Sequence, residues 1–217
     1  MKHSFLIIGL SQFGREAARK LVRLGQDVLA VDIDVDKIDR IASEVDTRQA
    51  DCLDEGVLQA LDVPDYDYVI VAISEDIQAS ALITTLVKEM GAKKVVCQSY
   101  DSKHSRLLHR IGADIIVCPE VDMGDRIARK LSAGLKNYIP LDGGQSIGEL
   151  TVPESWIGKN LRELNVRANH GLNVIAVRKH GSGFLDTGFS PETVFEAGDE
   201  LTVVGPEEKV ARIRECK

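Results

Sequence analysis

The residues of this 217-residue chain best suited to chemistry are the glycine-bounded loop Gly9-Leu10-Ser11-Gln12-Phe13-Gly14 and Asp32, about 18 positions beyond it. Where a loop joins a strand to a helix, a first glycine permits a tight turn and a last glycine permits close helix–strand contact. The helix N-terminus then faces outward as an anion site. Gly9 and Gly14 take those two positions. Ser11 stands where a middle glycine usually lets backbone approach a pyrophosphate; its hydroxyl can donate to phosphate, while its side chain narrows the loop. A carboxylate at Asp32 accepts hydrogen bonds from ribose hydroxyls and repels a 2′-phosphate. The joint spacing points to an adenosine ligand, against the alternative of an ordinary tight turn beside a solvated aspartate.

Elsewhere the reactive residue types are dispersed. Cys52, Cys97, Cys118 and Cys216 form no CxxC pair, and three of them read as small hydrophobes in or beside strands. His104 and His109 are five apart, off a common helix face, so the histidines predict no metal site. His170 and His180 fall in a glycine-rich region that reads as surface loop. Beyond residue 137 no histidine–carboxylate or Ser–Lys pair has catalytic spacing, whereas a nicotinamide oxidoreductase needs a proton donor and a substrate pocket. A binding protein without catalysis is therefore expected, with an NAD(H)-binding redox sensor or oxidoreductase as the alternative.

The net charge of -7, without basic blocks, argues against a nucleic-acid partner, whose phosphates attract clustered cations. Hydrophobic residues make up 44%, enough for a buried core. No run approaches the roughly 20 apolar residues of a membrane-spanning helix. The opening MKHSFLIIG leads straight into a strand without a cleavage site, so neither a secretory signal nor direct membrane insertion is expected.

The elements that position the loop follow from periodicity. Short apolar runs at Phe5–Ile8, Val28–Val31, Tyr68–Ile73, Val95–Cys97 and Ile115–Val117, with a weaker one at Thr47–Ala50, read as parallel strands covered on both faces. Between them, Phe13, Ala17, Leu21 and Leu24 define one helical stripe. Ala79, Leu82, Ile83, Leu86, Val87 and Met90 define another, closed by Gly91. Repeated β–α units predict an α/β fold, a Rossmann-like doubly wound parallel sheet. Met123, Ile127, Leu131 and Leu135 mark one more helix over 121–136, with Asp122 expected as its cap. Four short strands at Tyr138–Leu141, Ser146–Val152, Asn173–Val177 and Glu200–Val204 follow, a small α+β C-terminal domain. The expected domains are 1–136 and 137–217.

Several segments carry a family resemblance: IGLSQFG at 8–14, VLAVDID at 28–34, YVIVAISEDIQAS at 68–80, IGADIIVCPEVDMG at 111–124, LNVRA at 164–168 and GDELTVVG at 198–205. The chain resembles the regulatory subunits of Ktr- and Trk-type potassium uptake systems, the Ktr branch most, each built from an N-terminal and a C-terminal RCK domain. The resemblance implies a cytoplasmic subunit held at the membrane through an integral membrane potassium channel subunit. It also implies homodimers assembling into a homo-octameric gating ring, and ATP or ADP exchanging in the N-terminal domain, with NAD(H) the alternative ligand. Regulation of potassium efflux by the same domain type stays open. Beside Gly9, Ser11, Gln12, Phe13 and Gly14, the resemblance assigns the ribose to Asp32 and adds Ile33 to the nucleotide site. It places Asp51 and Cys52 beside the adenine, and Ala72, Ile73, Ser74 and Gln98 along the pocket. Glu120 is implied to reach across the dimer interface toward phosphate or a divalent cation, against the plain alternative of a carboxylate favoured by a helix N-terminus.

The chain departs from the family pattern at two positions. Gln12 replaces an arginine common in relatives, and Gln98 replaces a lysine. Charge-assisted contacts to a polyphosphate are the strong ones, so their loss shifts the expectation toward ADP, AMP or NAD; Arg15 stands nearby as a possible substitute. In the C-terminal domain the resemblance implies a cyclic di-AMP site at a dimer interface, formed by Asn165, Arg167, Ala168, Ile175 and Pro191, with Arg162 where an aliphatic residue is expected. The alternative, in which Leu161, Leu164 and Val166 pack a small core and Arg167 is solvated, is equally open.

Overall fold

Each short apolar run of the first half becomes a strand whose successive side chains face opposite sides of one sheet. The computed structural model describes residues 2–132 and 135–213; Cys216 lies outside them. The chain divides into two compact units, Met1–Asp122 and Met123–Lys217.

In the first unit, β1 (Ser4–Ile8), β2 (Asp27–Asp32), β3 (Asp46–Gln49), β4 (Tyr68–Val71), β5 (Val95–Gln98) and β6 (Ile115–Val117) form one sheet in the order β3-β2-β1-β4-β5-β6. Every pairing is parallel. Leu6 and Ile8 of β1, Val69 and Val71 of β4 and Val95 and Cys97 of β5 enter one core. Ile7, Ile70 and Val96, their neighbours in sequence, enter the other. A sheet buried on both faces needs both sets of side chains apolar, so these strands read as continuous hydrophobic runs. The helix α1 (Gln12–Arg23) covers the second core with Ala18 and Leu21, and α2 (Val35–Asp39) adds Ile38. The helices α3 (Glu55–Ala60), α4 (Ile77–Glu89) and α5 (Ser102–Arg110) cover the first through Leu58, Ile83, Val87 and Leu108. Aspartates start four of these helices, with Asp34, Asp54, Asp76 and Asp101 each accepting from a first-turn amide, which satisfies a donor the helix leaves open.

The strand reversal falls between β1 and β4, the switch point where ligands bind open α/β sheets, outside the carboxyl ends of the strands. Both flanks are pinned there. Gly9 N donates to Val31 O at 2.8 Å, and Ala72 N donates to Ile8 O at 2.7 Å.

Three local expectations are corrected. Leu24 is the C-cap of α1 and 60% exposed, and Ala18 makes the buried contact instead; the stripe turns away from the core as the helix ends. Asp122 does not cap the next helix, α6, which spans Pro119–Ser132. Asp122 N already donates to Cys118 O at 2.9 Å, so Asp122 is a first-turn residue, and Pro119 starts the helix because a proline at its first position sacrifices no hydrogen bond. Leu135 follows the helix and packs in the second unit's core, while Met123, Ile127 and Leu131 remain exposed.

In the second unit, β7 (Asn137–Leu141), β8 (Gln145–Thr151), β9 (Asn173–Arg178) and β10 (Glu200–Pro206) form an antiparallel sheet in the order β7-β8-β10-β9. The short helices α7 (Leu161–Leu164), α8 (Val166–His170) and α9 (Glu207–Arg212) complete it. The core gathers Trp156, Leu164, Leu172, Phe195, Leu201 and Val210. Asn160 starts α7 with a capping box closed by Glu163.

The buried carboxylate of Asp199 ties this unit together. It accepts from Lys179 Nζ at 2.8 Å, His180 N at 3.0 Å and Glu196 N at 2.9 Å. Burial alone would raise its pKa, but the hydrogen bonds from Lys179, Glu196 and His180 outweigh it and hold the carboxyl below the usual range. A depressed native pKa contributes stability above the unfolded value that is lost as pH falls through the native one. Asp199→Asn is therefore expected to cost about 3 kcal/mol at pH 7, from donors left unpaired. Denaturant melts should show that difference undiminished at pH 6 and shrinking below about pH 4.

Candidate nucleotide site

A cavity of about 540 Å³ opens at the switch point, bordered by Gly9, Ser11, Gln12, Phe13, Asp32, Ala72, Ile73, Ser74, Gln98 and Glu120. A second lobe of about 300 Å³ adjoins it through Gly9, Asp32 and Ile73, and adds Ile33, Asp51, Cys52, Ala79 and Ile83. Thirteen of the fourteen expected residues of the N-terminal site thus border one bilobed crevice. Gly14 is the exception: it lies beneath the loop, where its absent side chain matters more than its surface. A Cβ there would collide with the Gly9 carbonyl oxygen and come within 2.8 Å of Ala72 Cβ. Gly9 has φ +92°, and a Cβ on it would meet Ile73 Cγ1 at 2.6 Å. Both glycines are required by close approach, as the loop pattern predicts.

Asp32 is buried, and its carboxylate organises the loop before any ligand arrives. Oδ2 accepts from Leu10 N at 2.6 Å and Oδ1 from Asp34 N at 2.9 Å. Each oxygen keeps a further lone pair, which is what two ribose hydroxyls require. The carboxylate is the hinge of the crevice, bordering both lobes.

Ser11 caps α1. Its Oγ accepts from Gly14 N at 3.2 Å and donates to Gln98 Oε1 at 2.7 Å. Gln98 is buried at the end of β5, so this bond ties the loop to a strand on the far side of the switch point. Arg15 Nη1 folds back onto Leu10 O at 2.6 Å. Four further charged residues border the crevice that sequence reasoning did not place in the site: Glu16, Lys37, Glu75 and Asp76. Lys37 Nζ lies 4.0 Å from Asp32 Oδ2. The signal was its position one helical turn beyond a strand-ending aspartate, visible only once α2 is known to start at Val35.

The smaller lobe is walled chiefly by apolar side chains, with Asp32, Lys37, Asp51 and Asp76 at its border. Burial first, then the charges of Asp51 and Asp32, pushes the Cys52 thiol up to about 12, so the sulfur stays neutral and serves as wall. Asp51 turns its own backbone, accepting from Leu53 N at 2.9 Å. Cys97 is also buried beside Thr84, at 3.3 Å. His104 is buried, with its pKa lowered chiefly by burial. Its Nδ1 accepts from Tyr100 N, while Nε2 has no partner. Among the described residues no group of three or more His, Cys, Asp or Glu side chains is placed to hold a metal ion.

In the second unit, Asn165, Arg167, Ala168, Ile175 and Pro191 are all exposed. Asn165 ends α7 in a left-handed conformation, φ 42°. None of the five borders the concavity beside Trp156 or the one beside Pro206. Arg162 pairs with Glu192 at 2.7 Å, linking α7 to the segment that carries Pro191. Leu164 and Val166 are buried and Leu161 packs beside them, as the alternative reading of LNVRA requires.

Comparison with known proteins agrees with this architecture. The TrkA-N domain family model matches residues 5–119 and the TrkA-C domain family model matches 147–215. The chain is 37% identical to Ktr system potassium uptake protein A of Bacillus subtilis (strain 168) over 210 residues, covering 96% of this chain and 94% of that protein. It is 36% identical to Ktr system potassium uptake protein C of the same organism over 214 residues, 98% and 96% of the two chains. Among solved structures, the GsuK RCK domain gives a TM-score of 0.65 at 24% identity over 99% of this chain, and this chain spans 47% of that one. The GsuK channel bound to NAD gives 0.67 at 22% over 100% of this chain and 40% of that one. Those two likenesses carry the fold. With both domains matched in order and more than a third of residues shared along nearly the full length, the chain belongs to the TrkA-N/TrkA-C family, among the Ktr and Trk potassium-uptake proteins.

Proposed function

We propose that this chain is a nucleotide-binding regulatory subunit of a potassium-uptake system, acting on an integral membrane potassium channel subunit rather than catalysing a reaction. The observation that carries the reading is the bilobed crevice hinged on Asp32, whose carboxylate joins the glycine loop to the end of β2 and keeps lone pairs for a ribose. The relatives' names, potassium uptake proteins of the Ktr system, supply the process.

Among the described residues no helix is long and apolar enough to cross a membrane, so attachment at the cytoplasmic face runs through the partner. A homodimer assembling into a homo-octameric ring fits α6, which carries no buried residue and leaves Met123, Ile127 and Leu131 open along one side. The proposed domains are 1–136 and 137–217, with α6 as the crossover; the compact units divide earlier, between Asp122 and Met123, and Leu135 packs in the second core. Glu120 borders its own subunit's crevice and, in the dimer, holds a divalent cation against the neighbour's phosphates. The C-terminal domain takes cyclic di-AMP at exposed Asn165, Arg167, Ala168, Ile175 and Pro191 once two copies meet. Nucleotide acts by population shift: it binds one ring shape better and moves the equilibrium by that difference alone.

Reconstitution of the full chain with its membrane subunit in liposomes, with potassium flux read as adenine nucleotides are exchanged, tests this. Flux should change several-fold between nucleotides. Flux indifferent to every adenine nucleotide at saturation would exclude the regulatory role.

A further inference from the structure

His104, alone of the five histidines, is buried, in the first turn of α5. It fastens the turn that joins β5 to α5. Its Nδ1 accepts from Tyr100 N at 3.1 Å. An amide can only donate, so Nδ1 carries no proton and the neutral ring bears its hydrogen on Nε2. That Nε2 is buried with no partner, a desolvated donor that the fold tolerates at a cost. The rest of the turn is held by other means. Asp101 accepts from Lys103 N at 2.9 Å and from His104 N at 2.8 Å. Ser105 Oγ lies 2.8 Å from Ser99 Oγ, and Ser99 N donates to Val117 O at 2.8 Å. Tyr100 is exposed, and the imidazole is the acceptor for its amide.

We propose that His104 is an acid-releasable latch: uptake of one proton by its ring opens the turn 99–105 at the start of α5. The proton must enter at Nδ1, the position that the Tyr100 amide occupies. Two donors then face each other, and the ring becomes a buried cation, which is costly unless it is paired. A ring that swings out to hydrate its charge leaves Tyr100 N without its acceptor. Little nearby would hold the cation inside. β5 and β6 give Val95, Cys97 and Ile116 to the core that contains Leu108 of α5. On α4, which packs against α5, Lys88 is engaged by Asp114 at 3.0 Å and lies beside Gly112, past the other end of the helix. On α5 itself Lys103, Arg106 and Arg110 are exposed cations, with His109 exposed beside them. Asp101 is the one charge acting on the ring, and burial outweighs it, so the histidine is held below its ordinary value. A depressed histidine contributes stability that is present above about pH 6.5, where a released ring is also neutral, and is lost as pH falls through the native value. The turn follows directly on Gln98, which accepts the Ser11 proton. The latch thus lies beside the glycine loop but does not depend on what binds there.

Hydrogen-exchange mass spectrometry of the full chain at pH 7.5 and at pH 5.5, corrected for intrinsic exchange, tests the latch on the peptide covering 99–105. Protection there should fall about three- to tenfold in the wild type, tenfold being the ceiling for one proton taken up one unit below about 6.5. The start of α4 is the internal reference. Asp76 caps it by accepting from Ala79 N at 2.9 Å, with no histidine in its first turn, and its protection should stay within about twofold. His104→Asn keeps an acceptor oxygen near the Nδ1 position but does not titrate, so protection of its turn should not change with pH. A wild-type turn as protected at pH 5.5 as at pH 7.5 overturns the proposal. So does a His104→Asn turn that loosens with acid as the wild type does, or a loss shared equally with the start of α4. Should the variant not fold, the contrast between the two helix starts in the wild type decides alone.

Discussion

Asp32→Ala is expected to weaken adenosine-nucleotide binding by about 100-fold or more and to lower stability by about 2–4 kcal/mol. Both effects have one origin. The buried carboxylate accepts from the amides of Leu10 and Asp34, and removing it leaves two donors in a site only 7% exposed. The ligand loses its ribose acceptors at the same time, and hydrogen bonds to an ionised group are worth about 1.5–3 kcal/mol each. Asp32→Asn separates the two roles. Its single carbonyl oxygen can serve one amide, while its NH₂ confronts the other, so part of the stability returns but the ribose contact does not. Calorimetry for affinity and denaturant melts for stability check this. An Asp32→Ala protein that binds nucleotide within about threefold of wild type would remove the aspartate from the site.

Gly14→Ala is the second large expected effect, through sterics alone. The added Cβ would press on the carbonyl oxygen of Gly9 and lie 2.8 Å from Ala72 Cβ. One obstacle is backbone and the other is itself a Cβ, so no rotamer change relieves them and α1 must lift from the sheet. Overpacking of this kind costs about 1–3 kcal/mol. Because α1 carries the amides of Gln12 and Phe13 and the cap Ser11, lifting it also widens the phosphate end, and nucleotide affinity should fall about tenfold or more. Melting temperature and affinity should drop together. A normal melting temperature with normal affinity would show that the close approach of α1 to β1 and β4 is not needed.

Much of this was legible in the residues because several levels of signal agree. The runs Phe5–Ile8, Val28–Val31 and Tyr68–Ile73 are apolar at every position, which only a doubly covered sheet requires, and each became a strand of that sheet, the third stopping at Val71 so that Ala72 and Ile73 border the crevice instead. The glycine spacing and Asp32 located the crevice because their roles are local: a turn, a close contact and a strand end. Resemblance to the family added Asp51, Cys52 and Glu120, which periodicity could not have found.

What escaped depends on side-chain direction. Arg15 was read as a possible phosphate contact, and it folds onto Leu10 O. Ser11 was read as a substitute for glycine before a phosphate, and it is first a helix cap bonded to Gln98. That partner lies 87 residues away in sequence, and no local pattern reports such a pairing. Asp122 looked like a cap because a short acidic residue preceded an apolar stripe, yet Pro119 opened α6 three residues earlier. Lys37 and Glu75 were invisible as site residues because lone exposed charges on helices and loops ordinarily face solvent.

Electron density from crystals of the full chain grown with saturating ADP or NAD tests the central claim most directly. The account predicts adenine in the lobe between Cys52 and Ile83, both ribose hydroxyls on Asp32, and a pyrophosphate at the first-turn amides of Gln12 and Phe13. A nucleotide seated elsewhere, or a crevice left empty at saturation, would contradict it.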